Sequence, residues 1–369
     1  SPVGGPSSVV HPVFSLDNLI ILVQNCKSGG KYNRKKVFMS EQPDGKNKEK
    51  HIEEGVHALE EGRYADAAAA FIKAAEADPA DPQTYRNLGF AYELLHDFEK
   101  ARGAYAKALE AAPSSASAMN NLAGAAKKLG NRHEAAILFE SAIATDPLFI
   151  EPYMNIARMF MEISAFTLAE PYIRKVLEIE PGNTEARNLL GVITNITRRH
   201  EEAVGHFQEA LRLDSNQAVF FSNLGTAFRN TGDMRRAIMA FEKAAELSPN
   251  TLSTLNNLGV LYRETGDMKK AEQLLVRATE FYPENPFPFF NLAELAIERE
   301  DYSAALVFLK RYIELVPLDL DTLYKTCGIA RLSDRLGDVT AELKSFLAET
   351  GPDDPRRDIV AQWLSMTAG

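Results

Sequence analysis

Residues 82–113 read PQTYRNLGFAYELLHDFEKARGAYAKALEAAP. Tyr85, Leu88, Gly89 and Tyr92 are spaced i, i+3, i+4, i+7, which is one face of a helix. Ala101, Tyr105 and Ala108 mark the same kind of face on a second helix. Pro113 ends the pair, because proline cannot continue a helix interior. Asp81-Pro82 opens it, with a capping carboxylate followed by proline at the first helical position. The stretch therefore predicts a helix–turn–helix hairpin.

The hairpin recurs. Prolines fall at 79, 113, 147, 181, 249, 283 and 317, every step being 34 residues apart from one slot held by Ser215. Ala67, Ala101, Ala135, Ala169, Ala203, Ala237, Ala271 and Ala305 keep the step without a miss. Four residues after each alanine stands a large apolar residue: Phe71, Tyr105, Phe139, Ile173, Phe207, Phe241, Leu275 and Leu309. Twelve before it stands a small one: Gly55, Gly89, Ala123, Ala157, Gly191, Gly225, Gly259 and Ala293. The small residues let two helix backbones approach, and the large one fills the space beside them. Turns such as Gly62-Arg63, Gly130-Asn131, Gly232-Asp233 and Gly266-Asp267 separate the two helices. Asn285-Pro286 repeats the opening signal of Asp81-Pro82.

This unit resembles the tetratricopeptide repeat (TPR), whose signature is a 34-residue hairpin with Gly/Ala, Tyr, Ala, Phe, Ala and Pro at set positions. The resemblance implies an all-α, right-handed solenoid. Eight repeats span 48–319, beginning at 48, 82, 116, 150, 184, 218, 252 and 286. A degenerate ninth covers 320–353; its turn is expected at Leu336-Gly337-Asp338, three residues late, and Gly351 replaces the proline. A capping helix is expected over 354–369, with Ile359, Val360, Trp363 and Leu364 on one side. Repeat five departs most, with Arg187 and Thr194 in apolar or tyrosine slots, Arg198-Arg199 at the turn and Ser215 for proline. It is expected to be either drift in a tolerant repeat or a softer joint.

Residues 1–47 stand outside the period and read as a flexible extension rich in Ser, Gly, Pro and Lys. Leu16–Val23 has the length of a short helix or strand. Met39-Ser40-Glu41-Gln42 reads as a natural start. The Arg34-Lys35-Lys36-Val37 stretch before it is encodable by a purine-rich tract resembling a ribosome-binding site. Residues 1–38 are accordingly expected not to belong to the natural chain.

Composition narrows the function classes. The 369 residues carry a formal net charge of -10, which argues against nucleic acid as a partner. The longest strongly apolar run, Leu19–Val23, is too short to span a bilayer. Cys26 and Cys327 match no disulfide, metal or redox spacing. A reducing compartment, the cytoplasm, is the default, with the periplasm left open. Gly29-Gly30-Lys31 lacks the spacing of a phosphate loop. The histidines have no zinc spacing. No catalytic residue, metal or cofactor is expected.

One polar column stands out. The sixth residue of the first helix is Asn87, Asn121, Asn155, Asn223, Asn257 and Asn291, with Glu53 and Leu189 as exceptions. An amide offers both donors and an acceptor and can grip peptide backbone without reading side chains. The column resembles the asparagine ladder of the O-linked N-acetylglucosamine transferases, which implies a place on the concave wall. The clamp of chaperone co-factors is absent: fifth/ninth pairs such as Arg86/Phe90, Asn120/Gly124, Asn256/Val260 and Phe290/Glu294 lack its Lys and Asn. Arg158, Arg229 and Arg263, with Lys127 and Lys128, are expected to supply local positive sites on that wall, and Phe287 and Phe290 to anchor an apolar side chain. Phe289 fills the expected core slot.

The expected function is a non-enzymatic scaffold holding an extended peptide or partner helix in the groove. The alternative is an accessory docking or self-associating subunit of a secretion, pilus or glycosyltransferase assembly. Replacing Asn223, Asn257 and Asn291 by Ala is expected, on this reading, to weaken binding with little effect on melting.

Overall fold

The computed structural model describes residues 46–316 and 319–367. Leu16–Val23, Cys26, the 1–38 stretch and Pro317 lie outside the described residues. Two compact units divide between Arg198 and Arg199, inside the repeat that departs most from the pattern.

The first unit contains α1 (Lys46–Glu60), α2 (Tyr64–Ala77), α3 (Pro82–Leu94), α4 (Phe98–Ala111), α5 (Ala116–Lys128), α6 (Arg132–Thr145), α7 (Ile150–Glu162), α8 (Phe166–Ile179) and α9 (Thr184–Ile196). Each odd helix pairs with the even helix that follows, as far as α8, and each even helix packs on the next odd one. The second unit contains α10 (His200–Leu213), α11 (Ala218–Asn230), α12 (Met234–Leu247), α13 (Leu252–Glu264), α14 (Met268–Phe281), α15 (Pro286–Glu298), α16 (Tyr302–Leu315) and α17 (Leu320–Leu332). A 3-10 turn (Leu336–Val339), α18 (Thr340–Glu349) and α19 (Arg357–Met366) complete it. Among the described residues both units are all-α stacks of hairpins, the architecture of a TPR solenoid.

The period has a local cause at each end of a helix. Asp81 accepts from the backbone N–H of Gln83 and Thr84, and Asn285 from that of Phe287. At the turn, Gly62, Gly130, Gly232 and Gly266 have φ of 75°, 86°, 83° and 88°. The chain closes there with paired bonds, such as Gly62 N–H to Leu59 C=O at 3.1 Å and Arg63 N–H to Ala58 C=O at 2.8 Å.

In the other repeats His96, Ser164, Arg198, Glu300 and Asp334 hold the same turn at φ between 55° and 63°. A side chain there is strained by its Cβ. Ser164→Gly and Glu300→Gly are each expected to raise stability by about 0.5–1 kcal/mol, measured by urea titration. Unchanged or lower stability would mean that the side chains compensate for the strain.

The buried columns follow the sequence. Ala67, Ala101, Ala135 and Ala169 in the first unit and Ala203, Ala237, Ala271 and Ala305 in the second are fully buried, as are their large partners. Thr194, in a tyrosine slot, is also buried and turns its hydroxyl back onto the Leu190 carbonyl at 2.8 Å. Arg187 donates to the Pro181 carbonyl at 3.2 Å.

Two expectations at the C-terminal end are corrected. The ninth turn is in phase: Asp334 takes the left-handed conformation, and Arg335 N–H closes onto the Ala330 carbonyl at 2.8 Å. Leu336-Gly337-Asp338 is instead part of the 3-10 turn, which delivers Val339 fully buried into the core. In the last helix Val360 and Trp363 are buried, but Ile359 is 42% exposed and faces away from the seam.

Candidate functional site

The asparagine column lies on the first helices of the hairpins. Neighbouring first helices touch directly, α3 with α5 and α5 with α7 in the first unit, α11 with α13 and α13 with α15 in the second. Side chains one period apart therefore meet from helix to helix. Asn155 Nδ2 donates to Asn120 Oδ1 at 2.9 Å. Asn291 Nδ2 donates to Asn256 Oδ1 at 2.7 Å. Both acceptors are the fifth residue of the preceding first helix, 35 positions back. Sequence reasoning singled out the sixth column and missed the fifth. The signal was present as asparagine pairs one residue longer than the period.

The column is not uniform. Asn155 also accepts from Arg158 Nη1 at 3.3 Å, so both ends of its amide are engaged. Asn87 is 3% exposed; its Oδ1 accepts from Gln83 at 3.1 Å, while its Nδ2 is buried without a hydrogen-bond partner. Asn121 is half-buried and accepts only a long contact from Asn120 at 3.5 Å. Asn223 is buried. Asn257 is half-buried and has no hydrogen-bond partner among the described residues.

The expected cations are placed on the same helices, but each is matched to an acid on the next first helix. Lys127 reaches Glu162 at 2.7 Å, and Arg158 reaches Glu185 at 2.6 Å. Arg229 donates through Nε to Glu264 at 3.1 Å, with a second contact through Nη2. Arg263 sits between Glu298 at 3.5 Å and Glu294 at 3.8 Å. Lys128 differs, lying over the Phe98 ring at 5.9 Å. These charges brace consecutive helices as well as facing the surface. Partly exposed pairs of this kind contribute little each. At the fifth position of α3, Arg86 contacts Gln83 and the Ser117 hydroxyl, and burial pulls its guanidinium below the ordinary pKa.

The two phenylalanines also differ. Phe290 packs on Tyr312 with ring centroids 5.4 Å apart and lies under the Lys325 ammonium at 5.3 Å. Phe287 is half-buried and has no ring partner among the described residues. Phe289 is half-buried beneath the Arg311 guanidinium at 5.8 Å.

Away from the column, a depression of about 730 Å³ lies beside the turn into α12, lined by Glu201, Phe228, Asp233, Arg235 and Arg236 among others. Arg236 there is held by Asp233 at 2.5 Å and lies 4.6 Å from the Phe228 ring. Among the described residues no helix is long and apolar enough to cross a membrane, and no three His, Cys, Asp or Glu side chains gather as a metal site.

Comparison with known proteins agrees with this architecture. Superkiller protein 3 of Schizosaccharomyces pombe is 24% identical over 174 residues, 45% of this chain. That overlap is 10% of the relative, so the chain spans about a tenth of its length. A tetratricopeptide repeat protein from Parabacteroides merdae is 18% identical in its crystal structure, with a TM-score of 0.51, covering 64% of this chain and 94% of that one. YrrB, a TPR protein described as having an unusual peptide-binding site, is 25% identical with a TM-score of 0.44, covering 52% and 98%. Models of the tetratricopeptide repeat match residues 52–114, 91–148, 154–218 and 216–284, more than half of the chain. With its hairpins, buried columns and turns in phase, the chain belongs to the tetratricopeptide-repeat family.

Proposed function

We propose that this protein is a non-enzymatic scaffold that holds an extended polypeptide segment along its first helices. Tetratricopeptide repeats serve as protein–protein interaction scaffolds, and their fold is generally non-catalytic. The reading rests above all on the amide column. Asn155 and Asn291 reach the preceding rung, so the column runs along directly adjacent helices in each unit. Asn257 keeps a whole amide open on that line. Donor and acceptor in one group suit the alternating N–H and C=O of an extended chain. Phe287 would take an apolar side chain beside the backbone. Arg158, Arg229 and Arg263 would bias the choice of sequence only by exchanging their present glutamate partners.

The test uses a photo-crosslinking phenylalanine analogue. It replaces either Phe287 or Met239, an exposed residue of the second helix α12. The full-length protein is irradiated with a pool of random-sequence dodecapeptides. Labelling from position 287 with little from 239 is expected. Equal labelling, or none from 287, overturns the groove reading.

A further inference from the structure

The fifth residue of one first helix decides whether the column asparagine of the next helix is bonded to it, and where it is not bonded, exposure decides whether the amide is open. Where it is Asn, as at Asn120 and Asn256, its Oδ1 takes the N–H of Asn155 at 2.9 Å and of Asn291 at 2.7 Å. Where it is something else, no such bond forms. Ile52 precedes Asn87 and cannot accept, and Asn87 Nδ2 is left buried without a partner. Arg86 precedes Asn121, and a guanidinium has no acceptor to offer. Ser222 precedes Asn257; its side chain is shorter, and no bond joins the two.

We infer that within each unit the ladder is gated rung by rung: a backbone carbonyl of a bound peptide is held by the open amide, Asn121 in the first unit or Asn257 in the second, while Asn155 and Asn291 spend their N–H on joining repeats. This rests on the peptide-face reading above and makes it selective. The physical reason is competition. A ligand carbonyl that approaches Asn155 must replace a bond already made at good length, and exchange of one hydrogen bond for another gains little. At Asn257 the ligand replaces only water. The grip within a unit is therefore discontinuous, and a ligand needs a well-placed carbonyl at the open rung only. Asn291 still presents its Oδ1 and can accept a ligand N–H.

The gate also makes the contact transferable by mutation. Ser222→Asn supplies Asn257 with the acceptor found at Asn120 and Asn256, and should close that rung. Asn256→Ser removes the acceptor from Asn291 and should open one. All four residues lie in the second unit.

The experiment measures fluorescence anisotropy of a labelled pool of random dodecapeptides with full-length protein. Asn257→Ala and Ser222→Asn are each expected to weaken binding about fivefold. Asn256→Ser should tighten it. Asn155→Ala should stay within about twofold of wild type in binding but melt earlier, since it loses two hydrogen bonds. If Ser222→Asn fails to fold, the Asn257→Ala and Asn256→Ser arms decide. Weakening by Asn155→Ala and Asn257→Ala alike overturns the gating alone. Absence of binding by the wild type overturns the peptide-face reading itself.

Discussion

Gly89→Val is expected to destabilise the first unit by about 3 kcal/mol. A Cβ on Gly89 would lie 2.5 Å, 2.6 Å and 2.8 Å from Cε1, Cδ1 and Cζ of Tyr105. No real side chain tolerates that approach, so either α3 moves away from α4 or the ring moves. The ring cannot slip easily. Tyr105 is 1% exposed, and burial together with Glu93 beside its hydroxyl keeps the phenol protonated well above the ordinary range. Valine adds two methyls and the χ1 restriction of a β-branched residue in a helix.

Gly103, in the second helix of the same hairpin, supplies the control. Nothing lies within 4 Å of a Cβ built there. Gly103→Ala should gain about 0.5–1 kcal/mol, since glycine costs that much in a helix interior. Urea titration by far-UV circular dichroism compares the two. Because each repeat leans only on its neighbours, hydrogen exchange should show the loss of protection concentrated around α3 and α4. If Gly89→Val unfolds at the wild-type midpoint, the close approach is wrong, and with it the explanation of the small-residue column.

The fold was legible because its contacts are periodic. Once the glycine at 89 and the ring at 105 are sixteen residues apart, the other seven hairpins repeat the spacing with a small residue, Gly or Ala, before a large apolar one, and a misreading in one repeat is corrected by the rest. Reading failed where a local signal had no column behind it. Gly337 looked like the turn glycine, yet Asp334 holds the left-handed turn in phase, because a short polar side chain tolerates that conformation. Ile359 belongs to a final helix with no second copy to calibrate its face.

The site was legible in half. The asparagine column is a one-dimensional pattern and could be counted. What its members and the neighbouring cations bond depends on side chains at steps of 35, 31 or 27 residues, off the 34-residue period, where direction matters as much as spacing. That is why Arg229 and Arg263 read as open charges although Glu264, Glu294 and Glu298 face them.

Trp363→Ala is expected to be the most damaging change in the second unit, at about 3–5 kcal/mol. The indole is 6% exposed and stacks on Tyr324 at 5.4 Å and 27°. It closes a cluster with Leu306, Leu323, Cys327, Val339, Leu343, Phe346 and Val360. Among the described residues α19 is the element that covers α17 and α18 there, so removing the indole leaves a cavity in the seam that α19 makes with them.

Cys327 gives an independent readout. Its side chain is fully buried, and burial, with Glu342 adding to it, pushes the thiol up to about 12. The folded state thus favours the protonated thiol. That contribution is fully present below the unfolded thiol's value, about 8.5, and is lost as pH climbs toward 12.

At pH 8, in a Cys26→Ser background, Cys327 of the wild type should react slowly with Ellman's reagent and at a rate set by opening of the cap. Trp363→Ala should raise that rate by about a hundredfold or more, and lower the urea midpoint. Trp363→Phe, which keeps a ring against Tyr324, should recover most of both. Should Trp363→Ala leave Cys327 as slow as in the phenylalanine variant, the last helix would not be what seals the array.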